Sequence, residues 1–153
     1  ELMYGKSFEI PTEPDFVLPL GKAVVMRPGK DVTITAFSMM VGTALEAAEE
    51  LATLGIEAEV INLTTLRPLD TETIIQSIQK TNRIISVEEG WPVAGMGSEI
   101  CTLVCEKAFD YLDAQPIRVT AEDVPLPYAA NLEKLALPSV EKIVNAVKTV
   151  CYR

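Results

Sequence analysis

The residues best suited to chemistry lie between Val87 and Ile100, in the run Val87-Glu88-Glu89-Gly90-Trp91-Pro92 followed by Gly95-Met96-Gly97-Ser98-Glu99-Ile100. Two carboxylates end an apolar stretch, a glycine and a proline turn the chain, and more glycine opens a helical pattern. Paired carboxylates can serve as general acid and base when their surroundings separate their pKa values. Neighbouring residues on a strand point to opposite faces, so Glu88 and Glu89 do not converge on one site. The ordinary arrangement leaves one solvated and pairs the other with a nearby base. Gly95-Met96-Gly97 ahead of a helix could take an anion on free backbone N–H groups. The dinucleotide fingerprint is incomplete, it follows the fourth strand instead of the first, and no Walker lysine comes after it. A tight turn with close helix–sheet packing fits these glycines better.

Elsewhere the chemistry thins out. The chain has no histidine, which removes Ser-His-Asp and Cys-His catalysis and weakens any metal site. No Gly-x-Ser-x-Gly elbow is present, and Ser38 reads as a cap or linker. Cys101 and Cys105 sit four apart on one helical face and Cys151 near the end, so the three read as reduced thiols. No catalytic set is visible. The acidic residues Asp110, Asp113, Glu122 and Asp123 flank the fifth strand, and the carboxylate at Arg153 closes the last helix. If they converge they form a negative patch for a Lys- or Arg-rich partner; otherwise they are a solvated loop surface.

The elements that must position these groups follow from pattern. Residues 1–20 carry Pro11, Pro14 and Pro19 with little periodicity and read as an extended linker. Lys22 to Arg27 and Val32 to Phe37 are strands joined by the turn Pro28-Gly29-Lys30-Asp31, expected to pair as an antiparallel hairpin. Val41, Ala44, Leu45, Ala48, Leu51 and Ala52 mark a helix that Gly55 stops. Glu57 to Leu63 is a third strand, and Asp70 caps a helix to about Thr81. Arg83 to Val87 is a central strand, Met96 to Phe109 a helix and Ile117 to Thr120 a fifth strand. A long loop from Ala121 to Leu137 leads to a last helix begun by Pro138. Strands alternating with helices imply a three-layer α/β/α fold around a five-stranded, mostly parallel sheet with one antiparallel strand.

Bulk properties narrow the function classes. A chain of 153 residues suits one compact domain, and its 48% hydrophobic and 23% charged composition is that of a globular protein. The net charge of −9 argues against nucleic acid and favours a basic protein partner. No apolar run reaches the roughly 18 residues needed to span a membrane.

Four stretches carry a family resemblance: Glu1-Leu2-Met3-Tyr4-Gly5; Val60-Ile61-Asn62-Leu63 with Leu66-Arg67-Pro68-Leu69-Asp70; Val87 to Ile100; and Arg118-Val119-Thr120-Ala121-Glu122-Asp123-Val124-Pro125-Leu126-Pro127-Tyr128-Ala129. In this order they resemble the beta subunit of thiamine-dependent 2-oxoacid dehydrogenases. Glu88-Glu89-Gly90-Trp91 points to the pyruvate dehydrogenase branch over the branched-chain one, with acetoin dehydrogenase a near relative.

The resemblance implies that residues 1–20 are a linker from an N-terminal pyrimidine-binding domain and 21–153 a transketolase C-terminal-like domain. It implies thiamine diphosphate and Mg²⁺ in the intact enzyme, none bound by this chain, and an inactive fragment. The implied partners are the alpha subunit, a second beta subunit, and the basic subunit-binding domain of dihydrolipoyl acetyltransferase. The last would be received by Asp113, in Leu112-Asp113-Ala114, and by the carboxylate of Arg153. The end Cys151-Tyr152-Arg153 departs from an apolar terminus, and its guanidinium would oppose a basic partner. The implied compartment is the mitochondrial matrix in a eukaryote and the cytoplasm in a bacterium. Two rivals remain open from the residues alone: a free-standing module that holds a basic protein on acidic loops, and a nucleotide or flavin binder using the Gly90–Gly97 turn.

Overall fold

The computed structural model describes residue 7 and residues 9–153, so the Glu1–Gly5 motif lies outside the described residues. Residues 9–20 are exposed and include a turn at 14–15, where the Phe16 N–H donates to the Glu13 carbonyl. Five strands follow: β1 (Val24–Arg27), β2 (Val32–Ala36), β3 (Ala58–Asn62), β4 (Ile84–Val87) and β5 (Ile117–Val119). They form one sheet in the order β1-β3-β2-β4-β5. Strands β3, β2, β4 and β5 are parallel, and β1 is antiparallel to β3, with Val25 opposite Ile61.

The mostly parallel sheet with one antiparallel strand agrees with the sequence; the hairpin does not. β1 and β2 lie on either side of β3. The cause is the linking turn, whose Lys30 and Asp31 N–H groups both donate to the Glu57 carbonyl at 2.9 and 3.0 Å. The Asp31 carboxylate accepts from the Glu57 N–H at 2.7 Å. The turn thus straddles the start of β3. A Cβ at Gly29 would overlap the backbone of Ala58 and Glu59, so only glycine permits this crossing.

Strand β2 shows how alternation suits burial on both faces. Val32, Ile34 and Ala36 enter an apolar cluster with α1 (Met40–Thr53) and α5 (Val140–Val150). Thr33, fully buried on the opposite face, bonds Ser77 and Thr81 of α2 (Thr71–Thr81) through its hydroxyl at 2.6 and 2.7 Å. Beside them the buried Glu59 accepts from the Ser77 hydroxyl and the Lys80 ammonium. A buried carboxylate is retained only with such partners. On this second face Ile74 and Ile78 of α2 cluster with Ile100 and Val104 of α3 (Met96–Lys107), completing three layers.

Helix ends follow their local chemistry. The Asp70 carboxylate accepts from the Thr73 N–H at 3.2 Å and caps α2 as its sequence implies. Pro138 lies outside α5, and the cap is the Ser139 hydroxyl, which accepts from the Lys142 N–H at 3.2 Å. The long loop after β5 contains a short helix absent from the sequence reading, α4 (Ala130–Ala136).

Candidate docking surface

In the parallel strands, Asn82, Arg83 and Asp113 fall at the N-terminal end of the sheet. Asn82 ends α2 in the left-handed conformation at φ 59°. Its carbonyl accepts from the Asp113 N–H at 2.9 Å, and its side-chain amide donates to the Tyr111 carbonyl at 2.8 Å. Arg83 donates through Nη2 to Asp113 Oδ2 at 3.0 Å and through Nε to the Val150 carbonyl at 3.0 Å. The Tyr152 hydroxyl donates to the Asp113 carbonyl at 2.9 Å. Asp113 is therefore held from two separate segments, the connection between α2 and β4 and the chain beyond α5, while its side chain stays 55% exposed.

Arg153 comes to the same end. Its backbone N–H donates to the Lys148 carbonyl at 3.0 Å, and its Nη1 lies 3.5 Å from the Leu54 carbonyl at the close of α1. With Asp31, Arg83 and Cys151 it lines a hollow of about 150 Å³. Burial pushes the Cys151 thiol above its ordinary value, Arg83 opposing.

Asp110 lies exposed in the short turn Phe109–Tyr111 just before Asp113, but the other acidic residues do not join this group. Glu122 and Asp123 follow β5 and fall at the opposite end of the sheet, where Glu122 pairs with Lys142 at 2.7 Å. The expected acidic patch thus divides in two. Asp113 itself is partly neutralised by Arg83, a partner that the sequence reading did not identify.

Glu88 and Glu89 separate as strand geometry requires: Glu89 is exposed and Glu88 is buried. The partner of Glu88 is not a base, however. Its Oε2 accepts from the Met96 N–H at 2.8 Å and its Oε1 from the Gly97 N–H at 3.2 Å. The anion received by the glycine-rich helix start is the chain's own carboxylate. A Cβ at Gly95 would overlap Glu88 Oε1 and come within 2.7 Å of the Trp91 carbonyl, so the same glycines also permit the close packing. Arg118 ties this turn to β5, bonding the Pro92 carbonyl and the Ser98 hydroxyl, each at 2.6 Å. Burial pushes the Cys101 thiol up, with the Arg118 guanidinium from β5 opposing.

Comparison with known proteins gives this architecture a family. Residues 21–143 match the C-terminal domain of transketolase. The chain belongs to the transketolase C-terminal domain family. Over its whole length it is similar to the pyruvate dehydrogenase E1 component subunit beta of Rhizobium meliloti (strain 1021), at 53% identity. It is 57% identical to the mitochondrial subunit beta-1 of Oryza sativa subsp. japonica and 58% identical to the mitochondrial subunit beta of Pisum sativum. The chain spans 33%, 42% and 44% of the lengths of these three relatives.

Among solved structures, a split-gene transketolase described as an inactive beta4 tetramer matches 92% of this chain and 45% of its own. It does so at TM-score 0.79 and 29% identity. A 2-oxoglutarate:ferredoxin oxidoreductase from Magnetococcus marinus shares the fold at TM-score 0.54 and 18% identity, over 85% of this chain and 19% of its own.

At the reversal of strand order the residues of this transketolase C-terminal domain do not fit a diphosphate. Among the described residues no group of three His, Cys, Asp or Glu side chains is arranged to hold a metal ion. The α3 N-terminus beside the reversal of strand order, where a diphosphate could bind, is filled by Glu88. What the domain offers chemically is a held, exposed carboxylate at one end of its sheet and a preformed loop surface at the other.

Proposed function

We propose that this chain is the C-terminal domain of a pyruvate dehydrogenase beta subunit, and that its own work is assembly and docking. The observation that carries the reading is identity above 50% to such subunits across the whole chain. The intact enzyme would decarboxylate pyruvate and acetylate lipoyl groups, with thiamine diphosphate and Mg²⁺ held outside residues 21–153. Residues 1–20 would be the arm from the preceding pyrimidine-binding domain. The partners would be an alpha subunit, a second beta subunit and the dihydrolipoyl acetyltransferase core. The plant relatives bear mitochondrial names and the Rhizobium relative does not, in keeping with the matrix in a eukaryote and the cytoplasm in a bacterium.

Asp113 and the chain around Arg153 would receive the basic subunit-binding domain of the core. Arg83 holds Asp113 Oδ2, leaving Oδ1 free of partners among the described residues. A carboxylate fixed on one oxygen loses little freedom when a partner's arginine or lysine takes the other. Arg153 turns its guanidinium toward the carbonyl end of α1, where cations are favoured, which reduces its opposition to a basic partner.

The test is calorimetry of the chain with a basic subunit-binding domain at two salt concentrations. Binding should weaken with salt and fall about tenfold in Asp113→Asn, roughly 1.4 kcal/mol. Binding indifferent to both changes would refute the docking role. Decarboxylation of pyruvate by the purified chain alone would refute the non-catalytic one.

A further inference from the structure

The C-terminal end of the sheet carries a second surface that the Asp113 group does not touch. Two loops meet there, one after β4 and one after β5. Backbone joins them: the Glu88 N–H donates to the Val119 carbonyl and the Ala121 N–H to Gly90, each at 3.0 Å, while the Glu122 N–H folds the second loop onto Ala136 at 2.8 Å. The Trp91 indole N–H adds a bond to the Val124 carbonyl at 3.1 Å. Between the loops lies a hollow of about 420 Å³. Its apolar wall includes Trp91, Val124, Leu126 and Leu137, and its charged lining is Glu89, Glu122 and Glu133, with no cation among the described residues. Glu122 is paired to Lys142, whereas Glu89 and Glu133 make no ion pair among the described residues. Trp91 and Leu126 remain 56% and 57% exposed, and Tyr128 beside them is wholly so.

We infer that this hollow docks a segment of a different protein chain that presents a large apolar side chain flanked by Lys or Arg. A contiguous exposed apolar surface marks an interaction site, and the carboxylates of Glu89 and Glu133 on its rim select a basic flank. Its volume suits one or two large side chains, so the anchor is a side chain and not a whole domain. A symmetric pair of this chain would set Glu89 and Glu133 against their own copies on a molecule of net charge −9, which disfavours self-association here. The surface goes beyond the docking role proposed for Asp113 and stands at the other end of the sheet.

Trp91 is the only tryptophan in the chain, so its emission reads the hollow directly. Three peptides are titrated into the 153-residue chain: Leu and Phe anchors flanked by lysines, the same anchors flanked by glutamates, and serines flanked by lysines. The first should give a saturable blue shift, weakened at least tenfold in Glu89→Gln/Glu133→Gln and unchanged in Asp113→Asn. The other two should give none. No shift with the first peptide up to millimolar concentration, or an equal shift with either control, overturns the assignment. So does a blue shift that grows with protein concentration alone and accompanies dimers in the ultracentrifuge, which makes a second copy the occupant. Loss of this signal while Asp113-dependent calorimetric binding persists refutes the hollow and leaves the proposed function standing.

Discussion

At the N-terminal end of the parallel strands, Arg83 donates to the Val150 carbonyl and Arg153 lies against the Leu54 carbonyl, two guanidiniums set at the closing ends of α5 and α1. At the C-terminal end, Asp70 and Glu88 accept from the first N–H groups of α2 and α3, two carboxylates set at opening ends. Each charge opposes the helix dipole that the α/β winding delivers to its end of the sheet. The ends differ in what they leave over. The first leaves a half-exposed carboxylate, Asp113, already oriented by an arginine. The second uses Asp70 and Glu88 internally and leaves the Trp91 and Leu126 surface uncovered, with the unpaired Glu89 and Glu133 lining it among the described residues. One fold thus presents a polar contact at one end and an apolar one at the other, and the two can be disturbed separately.

The largest effect should come from Gly29→Ala at the N-terminal end. Its Cβ would overlap backbone of β3, which no rotamer can relieve, and about 3 kcal/mol of stability should be lost in urea unfolding. Glu88→Gln should cost about 2 kcal/mol, because an amide cannot accept from both the Met96 and Gly97 N–H groups without presenting its own donor. Its loss should also change Trp91 emission while leaving the proposed docking at Asp113 intact.

Asp70 gives a pH-dependent measure of the same end. Burial works against its charge. The Ala23 N–H, the Thr73 hydroxyl and N–H, and Lys22 outweigh that, holding its pKa below 3.8 in the folded protein. Its stabilisation is therefore present above the unfolded-state value and is lost as pH falls through the folded-state value. Asp70→Asn should lower stability by about 1 kcal/mol near neutrality, and thermal melts of the two proteins should converge below about pH 4. The smallest stability effect belongs to Asp113→Asn, under about 1 kcal/mol, because its pair with Arg83 is largely solvated. A larger loss would make Asp113 a structural residue and blunt the contrast between the two ends.

The sequence made β2 readable because Val32, Ile34 and Ala36 alternate with threonines whose hydroxyls find partners in α2. It made the Asp70 cap readable because the bond is local. The pairing of β1 was not readable, since a contact between Gly29 and backbone about thirty residues away decides it. Helix α4 is too short for its periodicity to stand out within a proline-rich loop. Glu59 sits in an alternating Glu-Ala-Glu-Val run that looks half solvated, yet Ser77 and Lys80 draw it inside. Asp113 entered only through its charge and the family resemblance. Nothing near it in sequence announces Arg83, Asn82 or Tyr152, which hold it from the start of β4 and from beyond α5.

The proposed docking of the acetyltransferase core at the N-terminal end of this sheet is tested most directly by amide hydrogen exchange of the chain, with and without a basic subunit-binding domain. Protection is expected at residues 82–83, 111–113 and 150–152, with residues 89–95 and 122–135 unchanged. Protection confined to the two loops around Trp91, with the Asp113 end still exchanging freely, would contradict it.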